Sequence, residues 1–278
     1  MSGPERLLEA ENNWVTRMGA WFPGERVVFR GQDLHADLKD MSWMELYLFS
    51  ITGRRFTGAQ LKVLNAIWTY TSFPEPRLWN NRVAALAGTA RSTGALGVAA
   101  GMAISEASIY GLGPCIRAID FLQHAKQHLD NGEALIDVIE EELRRYRSVA
   151  GYGRPITRTD ERIPPMQVLL RETGMDEGPY IRLCFDIEKA LLDGRLRMHM
   201  NIAALYAAVA LELGFTPRQY YLFMIPCFVA GMLPCLIETS ENPEGTFFPL
   251  RCERLAYEGQ PLRSWDERNG ATTDVPPP

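Results

Sequence analysis

Apolar residues along this chain recur three and four positions apart far more often than they alternate. That is the period of a helix rather than a strand. After Thr57, a side chain suited to cap free N–H groups, Leu61, Leu64 and Trp68 fall at helical spacing. Ser42 precedes Glu45 by the spacing of a reciprocal capping box, and Gly53 offers that helix a left-handed stop. Ser2 and Pro4 open a first helix running towards Met18. Trp79–Ser108 reads as two helices rich in alanine and glycine, and Pro114–Leu129 and Glu133–Arg147 as two amphipathic ones. Met166–Glu172, Pro179–Leu192 and Asn201–Leu213 give three more. Strand signals are confined to Arg26–Arg30 and a short piece near Leu255–Tyr257, with no series to build a sheet. The pattern predicts an all-α fold.

Two segments bear on how these helices pack. Tyr220–Ile237 is a nearly unbroken apolar run, about the shortest length that can cross a bilayer. Pro226 and Pro234 interrupt it, and no Lys/Arg cluster orients it. The expectation is a buried helix kinked at the prolines, with no membrane partner. Gly94, Gly97 and Gly101 let backbones approach closely, which core packing and a subunit interface would each use.

Composition is that of a soluble globular protein: 46% hydrophobic, 23% charged, net charge −5. No basic stripe argues for nucleic acid, and the polar, acidic start carries no secretory signal pattern. Cys115, Cys184, Cys227, Cys235 and Cys252 are odd in number and never form a CxxC pair, so they read as free thiols in a reducing cytoplasm. His124 and His128 have a metal-binding spacing without a third ligand nearby, so no metal is expected. The acidic run Glu140–Glu142 followed by Arg144 and Arg145 is a solvated helix face.

One constellation carries chemistry. The stretch Gly151-Tyr152-Gly153-Arg154-Pro155-Ile156-Thr157-Arg158-Thr159-Asp160-Glu161-Arg162 is followed by Asn201-Ile202-Ala203. Together they resemble the active-site frame of the citrate synthase superfamily. The resemblance runs from Arg26 to Arg268: the Arg30-Gly31 pair, the Ser42–Gly53 helix, Gly231–Glu238, Tyr257-Glu258-Gly259 and Arg263-Ser264-Trp265 follow the family's order. It implies a helical large domain (residues 1–113 and 214–278, the tail from Gly270 disordered) with an inserted small helical domain (114–213). It also implies a dimer whose sites use both chains, and carbon–carbon bond chemistry beside an acyl-CoA thioester. In that family an aspartate removes a proton, two histidines polarise the reactants, and arginines hold carboxylates.

Here the expected groups are replaced. The first histidine position falls on Tyr110, or on Gly111 if the register slips by one; the second falls on Arg154; the aspartate falls on Ala203. Ser72–Pro76 lacks the histidine of the family's Asp-His-Gly turn, and a carboxylate-binding arginine becomes Phe228. The arginine after the loop survives as Arg162. By resemblance, Tyr110, Arg154 and Arg162 are the candidate catalytic residues, and Arg158, Asn201, Phe228 and Arg254 the candidate substrate contacts. Gly151, Tyr152, Gly153 and Arg197, with Arg195 beside it, are the candidate coenzyme A contacts. Arg195 and Arg197 as ordinary surface arginines remain the alternative, as does pairing of the loop arginines to Asp160 and Glu161.

No permanently bound cofactor is expected; the ligand would be a coenzyme A thioester or a small carboxylate. With Phe228 in the cleft, that ligand carries fewer carboxylates than oxaloacetate, or a greasy acyl group. Two functions follow. One is a citrate synthase-like acyltransferase or lyase doing divergent Claisen or retro-Claisen chemistry without the usual His and Asp groups. The other is a catalytically inactive subunit with a regulatory or structural role. It would be a homodimer or a heterodimer with an active citrate synthase-like paralogue.

Overall fold

The computed structural model describes residues 2–13, 15–154, 157–246 and 251–260. Helices dominate, and most of them start where a capping side chain or a proline meets the free N–H groups of a first turn. The first, α1 (Gly3–Ala10), stops well short of Met18: Asn12 turns left-handed (φ 57), and no residue of the helix is buried to hold it against a core. A three-stranded antiparallel meander follows, β1 (Gly19–Phe22), β2 (Arg26–Phe29) and β3 (Gln32–Asp33), in the order β1-β2-β3. The sequence pattern marked only its middle strand. β1 is exposed throughout and does not alternate, so periodicity gave it no signal. Arg30 and Gly31, both at positive φ, make the two-residue turn that pairs Phe29 with Gln32. The strand expected near Leu255–Tyr257 does not form; a 3₁₀ turn at Cys252–Arg254 leads into irregular chain. The Arg263–Trp265 stretch and the tail from Gly270 lie outside the described residues, as do Pro155 and Ile156.

α2 (Trp43–Thr52) and α3 (Gly58–Thr71) carry the predicted capping box at Ser42 and the predicted cap at Thr57, which also forms a box with Gln60, and Gly53 ends α2 at φ 72. α4 (Trp79–Thr89) and α5 (Gly94–Ser105) form a pair against α12 (Met232–Glu241). The glycines here serve contacts inside the chain. A Cβ on Gly88 would lie 2.2 Å from Thr239 Oγ1, and one on Gly101 2.7 Å from Met232 Sδ, whereas Gly94 has open space around it.

α6 (Leu112–Asp130), α7 (Leu135–Tyr146), α8 (Ile163–Glu172), α9 (Pro179–Asp193) and α10 (Ile202–Glu212) follow. α10 is the central helix: its residues from Ala204 to Leu211 are all buried. It packs on α6 and α9. α11 (Pro217–Ala230) lies on α3, α6 and α2. Pro217–Glu241 is long and apolar enough to span a membrane by length and composition, with 39% of its apolar window buried. Its helix is interrupted at Gly231 rather than at Pro226. Pro234 has no N–H for the Ala230 carbonyl, so the ladder must break just ahead of it.

Candidate functional site

The glycine loop and the start of α10 are bound together backbone to backbone. Asn201 N–H donates to the Gly151 carbonyl at 2.9 Å and Gly153 N–H to the His199 carbonyl at 2.7 Å. Tyr152 and Met200 form an isolated antiparallel bridge between them. Gly151, at φ 87, has no room for a side chain, since a Cβ would stand 2.6 Å from that of Ala204. The Asn201 amide donates to the Gly153 carbonyl at 2.8 Å, and its Oδ1 accepts from Ala203 N–H at 3.0 Å, capping α10. Glu188, from α9, accepts from Met200 N–H at 2.9 Å and faces His199 Nδ1 at 3.3 Å, which fixes the strand-like approach to Asn201.

Asp160 is the hub of the arginine cluster. Its side chain is fully buried. Arg162 grips it with Nε and Nη2, both at 2.8 Å, and Ile202 N–H, in the first turn of α10, donates to the same carboxylate at 3.0 Å. Burial would push the Asp160 carboxyl up; the Arg162 contacts and the Ile202 N–H outweigh it and hold it below its ordinary value. Arg154 turns to the loop itself, with Nη1 2.6 Å from Glu161 Oε2 and 3.1 Å from the Thr159 carbonyl.

These groups open into a cleft of about 370 Å³ between the glycine loop, α10 and the chain around α4 and the start of α6. Tyr110, Arg154, Arg162, Asn201, Ala203 and Phe228 all line it, so the residues singled out as candidate catalytic groups do converge. Gly111 lines it too, leaving Tyr110 as the side chain at that position. The Tyr110 hydroxyl donates to Asn80 Oδ1, and its ring lies 5.1 Å from that of Trp79. Burial pushes its pKa up to about 12, so near neutral pH it is a proton donor and not a base.

Other candidates lie elsewhere. Arg158, Arg197 and Arg254 are exposed and outside the cleft lining. Arg195 borders a separate groove of about 440 Å³ between α7 and the end of α9. Gly151 and Gly153 act through backbone, and Tyr152 is a core residue whose hydroxyl donates to the Cys184 carbonyl at 2.8 Å. The expected contacts for coenzyme A therefore do not share the Arg154–Arg162 wall. The structural alternative for the loop arginines holds in part: Arg154 and Arg162 are paired to Glu161 and Asp160, yet both still face the cleft.

Sequence reasoning missed Asn80, Trp79 and Tyr206. Asn80 and Asn81 are buried in a helix of small residues, and Asn80 Nδ2 donates to the Phe228 carbonyl at 2.9 Å. A polar pair amid alanines was the available signal. Tyr206 follows Ile202 by one helical turn, so both reach the same cavity. Among the described residues no three metal-ligating side chains cluster.

No family model matches the sequence, and no curated protein matches it. Solved structures do. Citryl-CoA lyase from Hydrogenobacter thermophilus superposes with a TM-score of 0.78 at 20% identity, covering 92% of this chain and 99% of that one. An ATP citrate lyase from Methanosaeta concilii, in complex with (3S)-citryl-CoA, gives 0.73 at 12% identity. There this chain is covered over 97% of its length but spans only 46% of the neighbour. Citrate synthase from Thermoplasma acidophilum, with carboxymethyl coenzyme A and oxaloacetate, gives 0.58 at 14% identity, covering 81% of this chain and 58% of that one. At these identities the shared property is the fold: this chain has the helical architecture of citrate synthases and citryl-CoA lyases.

Proposed function

We propose that this citrate synthase-like chain binds a carboxylate or an acyl-CoA thioester in the cleft, and that no side chain of the cleft abstracts a carbon-bound proton. The observation that carries this reading is the cleft wall. Arg162 and Arg154 offer guanidinium donors for a carboxylate or an enolate oxygen, beside the donors of Tyr110 and Asn201 that face Asn80 Oδ1 and the Gly153 carbonyl, while no carboxylate or imidazole is among the described lining side chains. The solved neighbours bound to citryl-CoA, or to carboxymethyl coenzyme A and oxaloacetate, support the ligand class. General acid–base groups contribute about 10²–10⁴-fold each, so purified protein given acetyl-CoA and oxaloacetate should release no thiol above background. Robust thiol release would overturn the reading. Calorimetry with coenzyme A, acetyl-CoA and small carboxylates should show binding that is lost in Arg162→Ala.

Two specific observations divide the remaining alternatives. Internal pairing of Arg154 and Arg162 favours a non-catalytic binding subunit. Tyr110, a donor inside the cleft, supports divergent carbon–carbon chemistry in which it protonates rather than deprotonates. The division of the chain at Pro114 and Leu213 and the cytoplasmic location belong to the same proposal; buried free thiols at Cys115, Cys184, Cys227 and Cys235 support the latter.

A further inference from the structure

Tyr206 lines the cleft with a buried hydroxyl that the described residues leave unsatisfied. It is 1% exposed, and its hydroxyl meets no hydrogen-bond partner among the described residues. Thr71 interacts with that hydroxyl but outside hydrogen-bond geometry; the proton of the Thr71 hydroxyl goes to the Ile67 carbonyl at 2.8 Å, and its lone pairs are what a ligand carboxylate would replace as acceptor. Native proteins rarely leave a buried polar group in that state, and a ligand is one of the reasons they do. Tyr206 faces the same cavity as Arg162, whose positive charge reaches the hydroxyl. Arg162 engages Asp160 through Nε and Nη2, which leaves the donors on Nη1 for another acceptor.

The charge balance limits what that acceptor can be. Three arginines line the cleft, and each already faces a carboxylate: Arg77 with Glu75, Arg154 with Glu161, Arg162 with Asp160. No cation of the wall is unopposed, so each ligand carboxylate must rely on spare donors such as those of Arg162 Nη1, and one is easier to place than two. Apart from Thr71, Asn80, Asn81 and Asn201, the rest of the wall is largely apolar, with Trp79, Phe228, Ile109, Met224 and the ring of Tyr110.

We propose that the cleft selects a monocarboxylate with an apolar body. The carboxylate is shared between the Nη1 side of Arg162 and the hydroxyl of Tyr206, and the body lies against Trp79, Tyr110 and Phe228. This deepens, and rests on, the reading of the cleft as the ligand site.

The test is calorimetry on full-length protein with phenylacetate, hexanoate, phenylacetamide, oxaloacetate and acetyl-CoA, using wild type, Tyr206→Phe and Phe228→Arg. The two monoacids should bind wild type about tenfold more tightly than oxaloacetate or the amide, the margin of one charge-assisted hydrogen bond. Tyr206→Phe should lose about that factor for the monoacids without a fall in the Tm of the ligand-free protein, because the deleted hydroxyl has no partner there. Phe228→Arg should narrow the preference over oxaloacetate. Monoacids bound no better than oxaloacetate or the amide, or with unchanged affinity in Tyr206→Phe, would overturn the proposal; binding of oxaloacetate or acetyl-CoA would then leave the cleft reading standing. If none of the five ligands binds wild type, both fall.

Discussion

At the scale of single residues, Asp160 does more than any side chain in the cleft itself. It is buried, it answers a guanidinium, and it satisfies a backbone donor at the head of α10. Breaking a buried ion pair by removing one partner typically costs about 3–5 kcal/mol, because the other charge is left uncompensated. Asp160→Ala should therefore lower the unfolding free energy by about that amount in urea titrations at neutral pH. The sign of its pH dependence follows from the depressed carboxyl. A group whose folded value lies below its unfolded value stabilises above the unfolded value, about 3.9 for Asp. That contribution is lost as pH falls through the folded value. Wild type should lose stability on acidification more steeply than Asp160→Asn does, and equal slopes would assign the acid sensitivity elsewhere. Ala203→Asp makes the complementary point. It puts a carboxylate into the cleft, whose described lining holds no histidine to act with it. Thiol release from acetyl-CoA and oxaloacetate should stay at background.

At the scale of elements, capping chemistry was legible and exposed sheet was not. Ser42 and Thr57 mark helix starts that the structure reproduces, since each cap satisfies donors a few residues away and owes nothing to the rest of the chain. The meander Gly19–Asp33 escaped because its strands are short and its first is exposed, which erases the alternation that periodicity needs. The frame of the site, Gly151 to Asn201, was readable from its motif. The side chains around it were not: Asn80 reaches the cleft from a helix remote in sequence, and Tyr206, one turn along α10, reads in sequence as an ordinary core aromatic. The glycines of α4 and α5 were ambiguous for a related reason: sequence shows that a backbone can approach, not what approaches it. The structure puts α12 there, and a paired substitution measures it. Gly88→Ala, whose Cβ would lie 2.2 Å from Thr239 Oγ1 and 2.4 Å from the Leu236 carbonyl, should destabilise by about 1–3 kcal/mol or more. Gly94→Ala, with nothing within 4 Å, should be neutral or gain up to about 1 kcal/mol. Thermal unfolding of the two variants side by side checks both.

At the scale of the whole molecule, we propose that a second chain packs on the α5–α12 side. Leu96, Ile104, Leu233 and Ile237 stand 40–64% exposed on these two helices, and exposed apolar side chains gathered on adjoining helices commonly mark an interface. Light scattering at micromolar concentration should return twice the 31.4 kDa of one chain. Leu233→Glu with Ile237→Glu should return the single mass. A monomeric wild type would remove the homodimer and leave a mixed dimer with a paralogue to be tested by co-expression. The stapling of Gly151–Gly153 to His199–Asn201 has a further consequence, for the order in which the protein folds. These hydrogen bonds join residues 48 positions apart, so the entropy of closing that loop must be met before any of them forms. No local segment can hold the cleft's frame alone, and a peptide covering the glycine loop should be shapeless in solution. Ligand recognition is thus available only to a chain that has already packed α8 and α9, which makes the binding surface itself a reporter of completed folding.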